Sequence, residues 1–266
     1  MTKEKVYLIT GSTQGIGREV ARQLLFAGNK VCLNGRSANG KTRVEDLFIS
    51  FPGQVLYASG DISNDKEAED IILSCTSTFG RLDAIILNAG LSAYGNVGET
   101  EPALTKTIFG ANVLGNFFLL KSALPHLMKT KGSILLISSL AGVHGLPGYS
   151  LYSASKMALT ALFQSLDTEL DGTGVFTGIT YVWFTENEPE KRTYSPDGKS
   201  EPVPQRNQFT PFSRELTAKK IIHQLNTKKR ISVHSFSGKM IVLFARLFPG
   251  TYRFIQKKIH RKRSEK

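Results

Sequence analysis

Tyr152 and Lys156 stand four residues apart in the run Tyr-Ser-Ala-Ser-Lys, and Ser139 lies thirteen residues before the tyrosine. On a helix, residues four apart lie one above the other on a single face. An ammonium held beside a phenol favours the phenolate and lowers a pKa that is about 10 in isolation. The tyrosine then becomes a usable acid or base at neutral pH. A nearby serine hydroxyl can hydrogen-bond the oxygen on which charge grows or disappears. Such a trio can interconvert a carbonyl and an alcohol when a hydride carrier lies alongside.

A tyrosine and a lysine at this spacing are common by chance, so the elements that position them carry the weight. Apolar runs at about 6–10, 31–34, 55–58, 83–87, 133–137 and 175–183 read as six short strands. Helical patterns lie between them at about 16–28, 64–79, 101–129 and from the Tyr152 region to about 170, with another near 215–225. Strands alternating with helices of this length imply βαβ units and a parallel sheet covered on both faces. The predicted class is α/β: a single Rossmann-type doubly wound parallel sheet over residues 1–227, then a basic, apolar C-terminal helical extension over 228–266. In such sheets ligands bind beyond the carboxyl ends of the strands. Gly11, Arg36, Asp61, Asn88 and Ser139 fall at those ends. Residues 186–214 carry five prolines and many polar residues, which predicts a long surface loop placed to cover a substrate.

The run Thr10-Gly11-Ser12-Thr13-Gln14-Gly15-Ile16-Gly17 joins the first strand to the first helix. Its glycines permit a tight turn and a close approach by a pyrophosphate, which the helix N-terminus attracts with free N–H groups and its positive dipole end. A glycine-rich turn is a weak signal alone and a stronger one on a strand–turn–helix. Arg36 ends the second strand, and none of Asn34, Gly35 and Arg36 is acidic. An acid there would bind a ribose 2′-hydroxyl, whereas an arginine suits a 2′-phosphate, so NADP(H) is expected and NAD(H) is less favoured. Lys41 and Arg43 could add charge to the same place.

Composition bounds the rest. The chain has 266 residues, room for one large domain with a buried core, and ordinary hydrophobic and charged fractions of 41% and 21%. Cys32 and Cys75 lack metal-ligand spacing and suit a reducing, cytoplasmic setting. His126, His144, His223, His234 and His260 show no paired spacing either, so no metal is expected. His144 lies between Ser139 and Tyr152, where a plain loop histidine and a pocket-lining one are both open readings. The N-terminus has no signal-peptide pattern, and no stretch is expected to reach the ~18 apolar residues of a membrane span.

Together these pieces resemble the classical short-chain dehydrogenase/reductase family. The resemblance covers roughly residues 4–183 plus the helix near 215–225, and rests on the ordered set Thr10–Gly17, Asp61, Asn88-Ala89-Gly90, Asn112, Ser139, Tyr152 and Lys156. It implies that Tyr152 is the catalytic acid in reduction and that Lys156 lowers its pKa and holds the nicotinamide ribose. Ser139, chosen over Ser138 by the thirteen-residue offset, would hydrogen-bond the substrate carbonyl. Asn112 would order a water that relays protons through Lys156. Asp61 and Ile62 would contact adenine, while Asn88, Ala89 and Gly90 would shape the cofactor cleft. It implies a small-molecule carbonyl or alcohol substrate and a homo-oligomer. The sequence departs from the family at Leu87, where an asparagine is frequent, and at Phe184-Thr185, where Pro-Gly usually meets the nicotinamide carboxamide. Thr185 is the candidate to supply a hydroxyl contact instead. The departure at 184–185 leaves open a catalytically weak nucleotide-binding or membrane-tethered scaffold of the same fold.

The net charge of +12 is local: residues 228–266 hold twelve Lys and Arg against one acid, leaving +1 for the rest. That argues against a nucleic-acid surface and for one local task. Within 236–263, the run 240–248 is apolar apart from Arg246, Pro249-Gly250 breaks it, and Phe254, Ile255 and Ile259 share one face among basic residues. The pattern suits a helix lying at an anionic membrane surface, on the cytoplasmic face, or else a helix packed in the core or a dimer. If the tail meets lipid, a lipophilic substrate is expected, of the long-chain keto-lipid, steroid or retinoid type.

Overall fold

The computed structural model describes residues 4–188, 191–203 and 210–264. The six apolar runs form β1 (Val6–Ile9), β2 (Lys30–Gly35), β3 (Val55–Ser59), β4 (Ala84–Leu87), β5 (Ser133–Ser139) and β6 (Phe176–Val182). Two short strands, β7 (Arg192–Tyr194) and β8 (Ser200–Pro202), follow as a separate antiparallel hairpin, and β9 (Ile231–Val233) completes the chain's strands among the described residues. The main sheet is parallel throughout, in the order β3-β2-β1-β4-β5-β6-β9.

The helices are α1 (Gly15–Phe26), α2 (Glu45–Ser50), α3 (Asp65–Phe79), α4 (Pro102–Phe109), α5 (Gly115–Thr130), α6 (Ser150–Glu169), α7 (Arg214–Asn226), α8 (Phe236–Leu247) and α9 (Pro249–Ser264). The strand pleat sends alternate residues to opposite faces. Leu8, Cys32, Ile85, Leu87, Ile134 and Leu136 pack with α3, α5 and α6 on one side. Ile9, Val31, Leu33, Ile86, Leu135 and Ile137 pack with α1 and α7 on the other. Each such side chain contributes roughly 1.5–3 kcal/mol of burial energy, so the near-continuous apolar strands hold both helical layers at once. Leu87, where the family often has asparagine, is fully buried in that core, as are the free thiols of Cys32 and Cys75.

Three features differ from the sequence reading. The seventh strand, β9, falls within the stretch expected to be extension; at three residues, and half-exposed, it gives no periodic signal of its own. The region expected to be a plain loop contains the β7–β8 hairpin, tied to the body where the Tyr94 amide donates to the Tyr194 carbonyl, the Tyr194 amide donates to the Ser92 carbonyl and Thr193 Oγ1 donates to Ser92 Oγ. The helical run Pro102–Thr130 does reach membrane-spanning length, with a mean hydropathy of 1.3 over 18 residues. It is a core element, burying Leu104, Ile108, Leu119, Leu120, Ala123 and Leu127. It is also not one regular helix, because a π-helical turn, Gly110–Leu114, joins α4 to α5.

Beyond β9, α8 and α9 follow one another with a break at Phe248-Pro249. Proline has no N–H and is well tolerated at a helix start, so it closes one helix and opens the next. Gly238 and Ala245 face the body, with Gly238 against Trp183, while Phe236, Met240, Leu243 and Leu247 form a stripe 48–77% exposed.

Candidate active site

The carboxyl ends of β1, β4 and β5 meet the amino ends of α1 and α6, and the candidate residues lie there. At the β1–α1 turn, Thr10 is fully buried, and its Oγ1 accepts from the amides of Asn88 and Ala89 at 3.0 and 2.9 Å. Asn88 Nδ2 returns two bonds, to the carbonyls of Thr10 and Gly11 at 2.9 and 3.0 Å. The end of β4 therefore braces the glycine turn, with Ala89 packed against Gly11. Ser12 is spent within the turn: its hydroxyl donates to the Ile9 carbonyl at 2.7 Å and its amide to Asn34 at 3.0 Å. Thr13 is half-buried, Ile16 packs on the core and Gly17 is buried. Gly15 has φ +61°, and a Cβ there would meet no atom within 4 Å, so open space lies above the first residue of α1. This is the cradle that a dinucleotide pyrophosphate requires, and the residues present fit that cofactor.

Arg36 is exposed just past β2. Arg43, on the following turn, donates to Gln14 Oε1 at 2.8 Å, and Lys41 lies 5.0 Å over the Phe48 ring. At the end of β3, Asp61 Oδ1 accepts from the Ser63 amide and hydroxyl at 2.9 and 2.7 Å. Ile62 is buried against Gly115.

Ser138 and Ser139 end β5 and point to opposite faces. Ser138 is buried and donates to the Lys156 carbonyl at 3.2 Å, whereas half-buried Ser139 starts a turn by accepting from the Ala141 amide at 3.3 Å. Ser139 is thus the serine on the open side. Tyr152 and Lys156 lie in the first two turns of α6, on the face that meets β5. Lys156 Nζ donates to the Ile137 carbonyl at 3.2 Å and lies 6.0 Å from the Tyr152 ring centre. Burial brings the lysine pKa down to about 8, and the charge of Lys191 adds to the effect. Gly90 makes this approach possible, since a Cβ there would stand 3.1 Å from Lys156 Nζ and 3.2 Å from Asn112 Oδ1.

Asn112 sits in the π-helical turn, a device that recurs at functional sites. Its Oδ1 accepts from the Leu91 amide at 2.7 Å, and its Nδ2 donates to the Leu91 carbonyl and to Ser155 Oγ, both at 2.9 Å. The side chain therefore locks the end of β4 to α6. Thr185 lies off the end of β6, its hydroxyl bonded to the Trp183 carbonyl at 3.1 Å and the Thr217 hydroxyl at 3.2 Å. His144, between Ser139 and Tyr152, packs with its ring centre 4.9 Å from that of Tyr252 on α9, and burial lowers its pKa. The start of α9 thus borders the loop between the serine and the tyrosine.

Sequence reasoning did not single out Lys191, Glu188 or Arg214. Glu188 accepts from the Gly15 amide and pairs with Arg214. No local pattern signals these residues, because their partners lie far away in the chain. Among the described residues no group of three or more His, Cys, Asp or Glu could hold a metal. A surface cavity of about 660 Å³, lined by Asp70, Arg81, His126 and Lys129, opens at the opposite, amino-terminal ends of the strands.

A family model described as short chain dehydrogenase matches residues 5–188. An uncharacterized oxidoreductase of Thermotoga maritima is 35% identical over 69% of this chain and 73% of its own. A short chain dehydrogenase/reductase from Burkholderia phymatum, solved with NAD, superimposes with a TM-score of 0.80 at 21% identity, over 92% of this chain and 93% of that one. The structure of ElxO with NADP bound superimposes with a TM-score of 0.73 at 25% identity, over 87% of this chain and 96% of that one.

Proposed function

The chain belongs to the short-chain dehydrogenase/reductase family, NAD(P)-dependent oxidoreductases acting on CH–OH groups, and we propose that it interconverts a carbonyl and a secondary alcohol with NADP(H). The observation that carries this reading is the Tyr152–Lys156 pair on one face of α6, beside Ser139 and the glycine turn. Nicotinamide, when bound, supplies or takes the hydride. Ser139 donates a hydrogen bond to the carbonyl oxygen, and Tyr152 passes that oxygen its phenolic proton. Lys156 is mostly protonated at pH 7 with a pKa of about 8, so its ammonium favours the tyrosinate left behind. Asn112 orders the water that returns a proton through Lys156. Gly11, Ser12, Thr13, Gly15, Ile16 and Gly17 form the pyrophosphate turn, with Asn88, Ala89 and Gly90 as its wall. Asp61 and Ile62 would border the adenine, and Thr185 the carboxamide. Arg36, exposed where the ribose 2′-position would fall, favours NADP(H) over NAD(H).

The outward apolar stripe of α8 supports a lipophilic substrate and membrane contact through 236–263. Phe254 is 68% exposed on α9, among the exposed Arg253, Lys257, Lys258 and Arg261, so apolar and cationic groups share one surface. The Tyr252–His144 contact, which sets α9 against the loop between Ser139 and Tyr152, supports the same reading. A place on the cytoplasmic face of a membrane suits the two free thiols. Exposed Leu73, Phe117 and Met128 on the paired α3 and α5 suit a second copy of the chain.

The test follows NADPH oxidation with long-chain keto-lipid, steroid and retinal substrates, using Tyr152→Phe as control. Turnover that is lost by at least about a hundredfold in that variant is expected. NADPH binding without turnover would favour a scaffold, the reading that Phe184-Thr185 supports. Flotation with phosphatidylserine vesicles, comparing the full chain with Phe236→Asp/Leu243→Asp, tests the membrane contact: equal flotation would remove it.

A further inference from the structure

Two donors from different elements converge on one oxygen at the mouth of the glycine turn. The Gly15 amide donates to Glu188 Oε1 at 2.9 Å, and the Arg214 guanidinium binds the same atom. Gly15 is the first residue of α1 and Arg214 the first of α7, and these two helices pack side by side on the same face of the sheet. Both positive helix ends therefore face the same place, with a guanidinium added. Glu188 reaches it from the segment after β6, which two backbone bonds between Phe212 and the residues Phe184 and Glu186 hold across the ends of the strands.

An anion is thus already built into the position that a pyrophosphate would take. The Glu188 and Arg214 side chains keep 22% and 40% of their exposure, and an ion pair that wet adds little to folding. The pair can exchange one anionic oxygen for another at small cost to the fold. Gly15 has one N–H, however, and cannot hold both anions at once.

We infer that the Gly15 amide and the Arg214 guanidinium form a two-donor seat for an oxygen of the dinucleotide's pyrophosphate, and that Glu188 is a tethered competitor for that seat. The inference rests on the cofactor reading above. Cofactor affinity is then set partly by a carboxylate of the chain itself, and Arg214 exchanges its carboxylate partner for a phosphate when the dinucleotide enters.

The experiment measures equilibrium binding of NADPH, ADP-ribose and adenosine to the full chain, with melting temperature as the check on folding. Glu188→Gln keeps the side chain's size and removes its charge. It should tighten NADPH and ADP-ribose by about tenfold, the worth of one charge-assisted hydrogen bond, and leave adenosine unchanged. Adding Arg214→Met to Glu188→Gln should weaken the two pyrophosphate ligands by about tenfold or more, again sparing adenosine. NADPH binding equal to or weaker than wild type in Glu188→Gln would overturn the competitor while leaving the cofactor site standing. An unchanged affinity on adding Arg214→Met would overturn the two-donor seat. No NADPH binding by any of the chains would overturn the cofactor reading, and this inference with it.

Discussion

Replacing Lys156 with methionine should abolish turnover and yet stabilise the protein at neutral pH. The lysine is buried, and its pKa falls from 10.5 to about 8, chiefly through burial and then through the charge of Lys191. At 1.36 kcal/mol per pH unit, holding it charged in the fold costs about 3 kcal/mol. Methionine fills similar space without a charge, but it gives up the hydrogen bond to the Ile137 carbonyl, which contributes about 1 kcal/mol. The net gain is about 2 kcal/mol. With an unfolding entropy of roughly 2.1 cal/mol/K per residue, that raises the Tm of a chain this long by about 4 °C. The gain has a defined pH window. Because the folded pKa lies below the unfolded one, the unfolded chain binds more protons between pH 8 and 10.5, and the wild type recovers stability across that interval. Circular-dichroism melts of both chains at pH 7 and pH 10 should show the variant ahead at the lower pH and the gap closing at the higher. A variant that melts lower at pH 7, or a gap that does not change with pH, would refute the view that this lysine is held against a desolvation cost.

The two serines at the end of β5 should separate by readout. Ser139→Ala should lose about a hundredfold in kcat with little change in Tm, whereas Ser138→Ala should lose about 1 kcal/mol of stability and keep most of its activity. Arg36→Asp should move the ratio of NADPH to NADH affinity toward NADH by at least about tenfold, read from paired titrations; an unchanged ratio would remove Arg36 from the 2′-phosphate. His234 is buried on Thr180 Oγ1 at 2.8 Å, and burial, then the charge of Lys220, brings its pKa down to about 4 from 6.5. Its unfolded form takes the proton first, so stability should fall by about 3 kcal/mol as the pH drops from 6.5 to 4, and His234→Gln should flatten that slope in urea titrations.

The local part of this architecture was legible because its signals are local. A strand buried on both faces reads as a run of apolar residues whichever helices cover it, so the β1 to β6 runs were visible. The glycine turn and the Tyr152–Lys156 pair depend only on helix geometry and on what glycine allows. The choice of Ser139 was made on an offset, and the fold then put Ser138 under α6 and Ser139 on the open side. The β9 strand was not visible, because three half-exposed residues become a strand only when the edge of β6 receives them. The hairpin at 192–202 was hidden for the same reason, since its ties to Ser92 and Tyr94 cross about a hundred positions of the chain. The helical run at 102–130 was legible, but its π-helical turn was not, because that turn is a local shift of the backbone bonds, seen in the Gly115 amide donating to the Gly110 carbonyl.

What the amino-acid order determined by itself was the α/β class, the glycine turn between β1 and α1 and the four-residue spacing of Tyr152 and Lys156 on one helix, because periodicity and turn chemistry act over a few residues. Only the tertiary structure decided how those residues are tuned and what competes with them. Packing buries Lys156 and sets its charge, sends the α8 stripe outward, and seats Glu188 between Gly15 and Arg214. Desolvation, exposure and the meeting of distant charges depend on which surfaces the completed fold brings together.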